Sequence, residues 1–297
     1  MSYNIDYLDQ LESEAIYIFR EVYEQFDNSC LMFSGGKDSI VLIHLAKKAF
    51  YPLKIPFKIL HIDTGYNFPE VIQFRDNIIK TMDLELIVAS VEDFISKNNI
   101  NKSHFPDYNR MQIPVLLDVI KNKKFDAAIG GGRRDEEKSR AKERIFSHRN
   151  IKGQWNPENQ RPELWNIYNG NKKTGEHFRI FPLSNWTELD VWQYIQRENL
   201  DIPSIYFSHK RKVIFKNGIF LSVSEFMNTN GIEVVEKEVR CRTVGDITTT
   251  GMWESTASSI EEIIKEVSIS GIGERGKRAD DKISFTSMED RKRKGYF

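Results

Sequence analysis

The chain has 297 residues, of which 40% are hydrophobic and 12% aromatic, so it is long enough to bury one large core with elaborations. Its 43 basic and 43 acidic residues balance, which argues against a protein that holds nucleic acid by overall charge. Two cysteines, Cys30 and Cys241, exclude a disulfide framework and a four-thiolate zinc site, and no apolar stretch reaches the ~20 residues of a membrane span.

The first half of the chain alternates between helical and strand patterns. Apolar residues at helical spacing between positions 8 and 26 predict an amphipathic helix before the first strand. Short apolar runs then predict five buried strands, at residues 30–33, 57–62, 84–89, 125–129 and 178–183. The alternation predicts an α/β fold, a parallel twisted sheet with helices on both faces, followed by a C-terminal extension.

The second half of the chain is less regular. Residues 151–178 are rich in Asn, Pro, Trp and Gly and are interpreted as a long ordered excursion or lid. Thr187 and Asp190 have the spacing of a capping box that opens a helix. An Asn-Gly pair predicts a hairpin over residues 213–221, and a further helix is predicted over residues 258–267.

The loop SGGKDS at residues 34–39 lies between a predicted strand and a predicted helix, and it has the chemistry of a phosphate site. Its two glycines let the backbone approach an anion, the following helix directs free N–H groups at the same point, and Lys37 adds a charge. The spacing of a Walker A loop is absent. The loop resembles the pyrophosphate-binding motif of the PP-loop ATP pyrophosphatases, which cleave ATP between the α- and β-phosphates. The resemblance implies ATP contacts from Ser34, Gly35, Gly36, Lys37, Asp38 and Ser39.

Another strand is predicted to end beside this loop. Asp63 and Thr64 follow the strand at residues 57–62. The Asp63 carboxylate suits Mg²⁺ or a ribose hydroxyl, and Thr64 suits a phosphate. Asp63 and Thr64 are therefore candidate ATP contacts.

A third loop follows the strand at residues 125–129. Gly131 and Gly132 offer backbone donors to a nucleotide, and Arg133 and Arg134 carry guanidinium forks that fit phosphate or sulfate oxygens. The charged stretch that follows, including Lys142, Glu143 and Arg144, is interpreted as a solvated helix.

Longer blocks make the chain similar to the small, adenylyl-transferring subunit of bacterial sulfate adenylyltransferase. The most specific block is RRDEEKSRAKERIFSHR at residues 133–149, and the others are RPELW at 161–165, FPLSNWTELDVW at 181–192 and SMEDRKRKGYF at 287–297. The similarity extends from the N-terminal helix to the last residue. It is weakest over residues 202–239 and 268–281.

The resemblance implies that ATP and sulfate react to give adenylyl sulfate and pyrophosphate. Lys37 and its loop would hold the leaving pyrophosphate, whereas Arg133 and Arg134 would align sulfate and stabilise the charge on the α-phosphate. Asp38 or Asp63 would seat Mg²⁺. No general base is needed because sulfate is already ionised, and no redox cofactor is expected.

The resemblance also implies a partner, a large GTPase subunit that is either alone or fused to an adenylyl-sulfate kinase. The chain lacks a Walker A loop of its own, so GTP hydrolysis would occur in trans. The expected domains are an N-terminal helix (1–28), a nucleotide-binding domain with the lid (29–200) and a C-terminal region with a basic tail (201–297). A cytoplasmic location is expected, since the N-terminus is unlike a signal peptide.

Three alternative functions remain open. An adenylyl-sulfate or phosphoadenylyl-sulfate reductase shares the fold but uses a nucleophilic cysteine near the C-terminus, and here the last cysteine is Cys241. Another PP-loop adenylating enzyme, such as a tRNA-thiolating one, would share the loop. A nucleotide-binding subunit without turnover would lack sulfate-dependent exchange between ATP and pyrophosphate.

Overall fold

The computed structural model describes residues 6–100, 108–136 and 141–270, apart from residues 157, 159, 217 and 228. Six strands form one sheet: β1 (Ser29–Met32), β2 (Lys58–Asp63), β3 (Leu86–Ser90), β4 (Ala127–Ile129), β5 (Phe146–Arg149) and β6 (His177–Ile180). Neighbouring strands are parallel except for β5, which is antiparallel to β6. The predicted α/β sheet is confirmed, and the edge strand β5 escapes prediction because its sequence, FSHR, is not an apolar run.

The strand order is β3-β2-β1-β4-β6-β5, so the chain moves outward from β1 in one direction and then returns to add β4 on the other side. Cys30 of β1 is paired with Lys58 of β2 and with Ala128 of β4. The order therefore reverses at β1. In open parallel sheets a ligand binds at such a reversal, outside the carboxyl ends of the strands.

Helices cover both faces of the sheet. The helices are α1 (Tyr7–Gln25), α2 (Lys37–Phe50), α3 (Pro69–Thr81), α4 (Val91–Lys97), α5 (Gln112–Lys123), α6 (Glu188–Arg197) and α7 (Ile260–Ile269). Alternate residues of β1 face opposite ways: Leu31 packs in the core that contains α1, α2 and α6, whereas Cys30 packs in the core beneath α4 and α5. This alternation confirms the prediction of helices on both faces.

The C-terminal region contains a second, smaller sheet. Four antiparallel strands close into a barrel in the order β10-β8-β7-β9: β7 (His209–Lys216), β8 (Ile219–Ser222), β9 (Val234–Cys241) and β10 (Gly251–Glu254). The predicted hairpin is confirmed as β7 and β8, with Gly218 at a φ of 76° in its two-residue turn. The sequence patterns do not predict β9 and β10.

The starts of α6 and α7 follow from their capping residues. Thr187 accepts a hydrogen bond from the backbone of Asp190, whose carboxylate accepts one from the backbone of Thr187, so the predicted capping box is confirmed. Ser259 caps α7, which confirms the last predicted helix. Trp186 and Trp192 are fully buried core residues.

One expectation is corrected by the fold. Residues 141–144 are not α-helical, and Glu143 is buried, with its carboxylate bound to Ser147 and Arg149 of β5. The segment at residues 151–178, interpreted as an ordered excursion or lid, packs near the same edge: Tyr168 stacks on Phe146 with ring centroids 4.7 Å apart, and the segment also contacts α1. Glu143 therefore braces the sheet edge, and the segment before β6 lies against that edge.

The basic tail at residues 275–297 and Lys138 lie outside the described residues. Within the described part of the chain, no helix combines the length and the apolar character needed to cross a membrane.

Candidate active site

A cavity of about 270 Å³ opens at the carboxyl ends of β1, β2 and β4, where the strand order reverses. Seven of the residues predicted to bind ATP line it: Ser34, Gly36, Lys37, Asp38, Ser39, Gly131 and Gly132. Three others, Gly35, Asp63 and Thr64, do not line it. The two glycine-containing turns predicted from the sequence therefore meet at one place.

The turn between β1 and α2 is shaped by Gly35. Its φ is +73°, and a Cβ at this position would lie 2.4 Å from Cγ1 of Val71. Both the left-handed backbone and the contact with α3 therefore require glycine. Ser39 donates a hydrogen bond of 2.8 Å to the carbonyl of Gly36, and Ser34 accepts one from the Gly36 N–H. The serines hold the turn as well as lining the cavity.

Lys37 supplies a positive charge in the cavity wall. The residue is only 1% exposed, and its Nζ lies 3.2 Å from Oδ2 of Asp38. Its backbone N–H donates to the hydroxyl of Tyr206, at 2.9 Å, so that this first N–H of α2 is already bound. Tyr206 also lines the cavity and is missed by the sequence analysis, because nothing in the local pattern around residue 206 links it to residue 37.

Asp38 joins the two turns. Its Oδ1 accepts a 2.7 Å hydrogen bond from Nε of Arg133, whose side chain is fully buried. Burial by itself would raise the pKa of Asp38, but the charges of Arg133 and Lys37 outweigh burial and hold the pKa below its ordinary value. Asp38 is therefore ionised at neutral pH between two cations.

The turn after β4 packs directly against α2. A Cβ on Gly131 would lie 2.9 Å from Cβ of Asp38, so glycine permits this close approach. The arginines that follow do not line the main cavity. Arg133 and Arg134 line a second cavity of about 10 Å³, about the volume of one water probe.

Arg134 is held on the outer side of its turn. Its guanidinium donates to the side chain of Asn185 and, at 3.3 Å, to the carbonyl of Glu143. Its backbone N–H donates to the carbonyl of Ser184 at 3.0 Å. These contacts fix the turn to the segment that precedes α6. They direct the Arg134 side chain away from the main cavity.

The loop after β2 is an internally bonded turn. Oδ1 of Asp63 accepts from the backbone of Gly65 at 2.8 Å and from the Asn67 side chain at 2.9 Å. Thr64 is buried and donates to Oδ1 of Asp246 at 2.6 Å. Asp63 and Thr64 thus shape the turn, and Asn67 is its cavity-lining member.

The loop between β9 and β10 closes one side of the cavity. The backbones of Asp246 and Asn67 form an isolated antiparallel β-bridge, and the backbone of Ile247 donates to the carbonyl of Tyr66 at 2.8 Å. Thr243, Val244, Gly245, Asp246 and Thr249 all line the cavity. The C-terminal region therefore contributes to the site, which the sequence analysis misses because these residues lie about 180 positions from their partners.

Glu188 and Arg242 form a buried ion pair behind Lys37. Arg242 donates through Nη2 at 2.7 Å and through Nε at 2.9 Å to the carboxylate. Burial alone would raise the pKa of Glu188, but the Arg242 hydrogen bonds and the charge of Lys37 hold it below its ordinary value. The backbone of Glu188 also donates to Asp135, which ties α6 to the turn after β4.

Three further cavity residues come from the sheet and have no signal in the sequence analysis. His61 hydrogen-bonds through Nδ1 to the carbonyl of Phe33 at 2.9 Å, so Nδ1 carries the proton, and burial lowers the pKa of the ring. Arg179 and Phe181 approach from the end of β6. Among the described residues there is no cluster of three or more His, Cys, Asp or Glu side chains that would hold a metal by itself.

Both cysteines are buried and free. Burial raises the pKa of the Cys30 thiol and of the Cys241 thiol to about 12. Neither is a thiolate near neutral pH, so neither has the properties of a nucleophile.

Comparison with known proteins gives one matching domain family and many full-length relatives. The Phosphoadenosine phosphosulfate reductase domain matches residues 28–252. The chain is 54% identical to a protein named Sulfate adenylyltransferase subunit 2 from Mycolicibacterium gilvum (strain PYR-GCK), over 99% of this chain and 96% of that protein. It is 52% identical to a protein of the same name from Streptomyces lavendulae, over 99% and 93%.

Solved structures include more distant matches. A crystal structure of phosphoadenylyl-sulfate reductase from Candida auris, in a phosphate complex, matches with a TM-score of 0.45 and 17% identity. The match covers 69% of this chain and 92% of that one.

Proposed function

Because the chain belongs to the family of the sulfate adenylyltransferase subunit 2 proteins, we propose that it transfers the AMP group of ATP to sulfate, giving adenylyl sulfate and pyrophosphate. The observation that carries the proposal is the cavity where the strand order reverses. Lys37 and other residues of the turn at positions 34–39 line this cavity. A buried cation beside a glycine turn and a helix N-terminus is suited to a polyphosphate.

The reaction joins two anions. An oxygen of sulfate attacks the α-phosphorus, the bond from that phosphorus to the oxygen bridging to the β-phosphate breaks, and pyrophosphate leaves with the bonding electrons. Sulfate is a dianion near neutral pH, so no side chain has to remove a proton. The protein's task is to align the reactants and to offset their repulsion.

Lys37 is proposed to hold the leaving pyrophosphate. Its ammonium lies in the cavity wall and is fixed by Asp38, while the carbonyl and N–H groups of Gly36 are fixed by the two serines. Gly131 and Gly132 present backbone to the same cavity and are proposed as nucleotide contacts. A prearranged cation loses little freedom when the charge on pyrophosphate develops.

Arg133 and Arg134 are proposed to act mainly as positioning residues. Arg133 fixes Asp38, and therefore Lys37, through its 2.7 Å hydrogen bond. Arg134 fastens the turn after β4 to Asn185. The direct contact with sulfate expected from the sequence stays a prediction that requires both side chains to turn toward the main cavity.

Mg²⁺ is proposed to enter with ATP. Asp38 fits this ion better than Asp63, because Asp38 lines the cavity and a carboxylate has about four acceptor sites, of which Lys37 and Arg133 occupy two. When bound, Mg²⁺ neutralises charge on the phosphate oxygens. Asp38 would then hold the ion beside the pyrophosphate.

The partner is proposed to be a GTPase subunit whose GTP hydrolysis drives the unfavourable formation of adenylyl sulfate. The name "subunit 2" of the relatives implies a second subunit in those proteins. Whether the GTPase is fused to an adenylyl-sulfate kinase stays open, and a cytoplasmic location stays a prediction.

The reductase alternative is not supported by the cysteines. Cys30 and Cys241 are both buried, and the pKa of each thiol is raised to about 12. A reductase of this fold needs an accessible nucleophilic cysteine.

The test is adenylyl sulfate formation from Mg-ATP and sulfate, with pyrophosphatase, in the presence and absence of the cognate GTPase subunit and GTP. We expect sulfate-dependent product that rises with GTP and does not rise with a non-hydrolysable GTP analogue. Lys37→Met is the active-site control and should lower the rate of product formation by about 100- to 1,000-fold. ATP binding without any sulfate-dependent product in the complete mixture would overturn the proposed reaction.

A further inference from the structure

Arg179 is a buried cation in the wall of the main cavity. The residue is 3% exposed and lies in β6, where it is paired with Ala128 of β4 and with Ser147 of β5. Of the arginines that the structure describes, Arg179 is the one that lines this cavity, and Lys37 is its only described lysine. Two positive charges thus reach the cavity, one from the start of α2 and one from β6.

The small side chain of Ala128 explains how Arg179 reaches the cavity. Nη1 of Arg179 lies 3.0 Å from Sδ of Met32, the last residue of β1, although β4 lies between the two strands. Adjacent strands are about 4.8 Å apart, so the Arg179 side chain crosses over Ala128 of β4 and places its guanidinium roughly two strand spacings from β6. It therefore ends beneath the turn that carries Lys37.

The surroundings of Arg179 distinguish it from the two arginines chosen from the sequence. Arg133 is bound to the Asp38 carboxylate, and Arg134 is bound outside the cavity. Met32 packs with the core beneath α5, whose Leu116 also lines the cavity. Arg179 thus reaches an apolar part of the wall, where a charge is weakly screened and an anion gains most from pairing.

We propose that Arg179 forms the subsite for the tetrahedral oxyanion that accepts the AMP group. This inference rests on the proposed function, because the oxyanion it assigns is sulfate. A guanidinium offers two parallel N–H donors that match two oxygens of a tetrahedral dianion. The remaining oxygens are then free to face the α-phosphorus.

The acidic residues of the cavity and Arg179 come from different parts of the fold. Asp38, Glu136 and Asp246 are the described carboxylates that line the cavity, and they come from α2 and from the loops, whereas Arg179 comes from the sheet floor. A dianion is repelled by these carboxylates and attracted by the floor. In this assignment Lys37 and its turn bind the nucleotide phosphates, and Arg179 binds the oxyanion.

The test compares Arg179→Met and Arg179→Lys with wild type in the complete assay with the GTPase subunit. We expect Arg179→Met to lower kcat/KM for sulfate by about 100-fold, the effect of losing a charge-assisted pair, with ATP affinity within about threefold of wild type. Arg179→Lys keeps the charge but loses the fork, so it should recover part of the sulfate KM.

A matched control is Arg75→Met. Arg75 is also buried, but it lies in α3, outside the cavity lining, and its partner Asp76 is exposed. We expect its KM for sulfate to equal that of wild type. ATP affinity is measured without sulfate by calorimetry, and thermal unfolding shows whether each variant is folded.

Two results would overturn the inference. One is an unchanged KM for sulfate in Arg179→Met. The other is a loss of ATP affinity as large as the loss for sulfate, which would place Arg179 on the nucleotide. If Arg179→Met does not fold, the same comparison is made with Arg179→Lys: its change in KM for sulfate is set against its change in ATP affinity. Failure of the proposed function is different, because wild type would then show no sulfate-dependent product.

Discussion

The two glycine turns at the cavity look alike in the sequence and behave differently in the structure. Each follows a buried strand and is followed by basic residues. After β1, Lys37 opens a helix, and its side chain lines the cavity. After β4, Arg133 and Arg134 bind Asp38 and Asn185 and line a much smaller cavity.

The difference shows that the glycines predict where the backbone approaches the cavity, but the sequence of charged residues does not predict where their side chains point. Glycine spacing brings backbone to an anion site, and both turns line the main cavity as expected. The direction of a charged side chain depends instead on which acceptors lie near it. Arg133 binds Asp38 and Arg134 binds Asn185, so neither arginine side chain lines the main cavity.

The largest expected effect comes from the cation of the first turn. Lys37→Met should lower kcat for adenylyl sulfate formation by about 100- to 1,000-fold, because a prearranged charge on the leaving group is lost. Lys47→Met, an exposed change in the same helix, is the control and should retain wild-type rates. Equal activity of the two variants would remove Lys37 from the site.

The link between the turns should give the next effect. Arg133→Met leaves the Asp38 carboxylate without its arginine and should lower the free energy of unfolding by about 3 kcal/mol. Asp38→Asn in the same chain should recover part of that loss, with a coupling energy of about 1–3 kcal/mol. Urea unfolding of the two single variants and the double variant measures it. Strictly additive losses would show that the pair is not coupled.

Replacing Arg134 should affect stability and activity less, provided that its side chain stays outside the main cavity during turnover. Arg134→Ala loses the Asn185 contact and should cost about 1 kcal/mol of stability. Its kcat/KM for sulfate should fall less than about tenfold. Steady-state kinetics decide the point. A loss of 100-fold or more would mean that Arg134 turns into the cavity, as the sequence predicts.

The last effect is confined to acid pH and concerns the buried carboxylate of Glu188. The pKa of Glu188 lies below its ordinary value of 4.5, so its contribution is complete above pH 4.5 and is lost as the pH falls through the folded-state pKa. Wild type should lose up to about 1.4 kcal/mol per pH unit more than Glu188→Gln in that acid range. Urea unfolding midpoints, measured at several acid pH values, give this pH-dependent loss of stability, and the exposed change Glu24→Gln is the control. Parallel curves for wild type and Glu188→Gln would contradict it.

The elements whose patterns are local could be predicted. Apolar runs predicted five of the six sheet strands to within three residues of their bounds, and the capping residues of α6 and α7 marked their starts. The strand β5 could not be found in this way, because its polar residues His148 and Arg149 find partners in Glu176 and Glu143. Its stability depends on residues that the local pattern does not contain.

The sequence by itself determined the α/β alternation, the two glycine turns and the family, because these depend on short-range spacing and on whole-chain similarity. Only the tertiary structure decided which charges face the cavity. Pairing of β6 beside β4 carries Arg179 to the cavity floor, and the loop after β9 brings Asp246 to Thr64. Such contacts join residues far apart in the chain, and burial makes each charge turn toward its nearest partner.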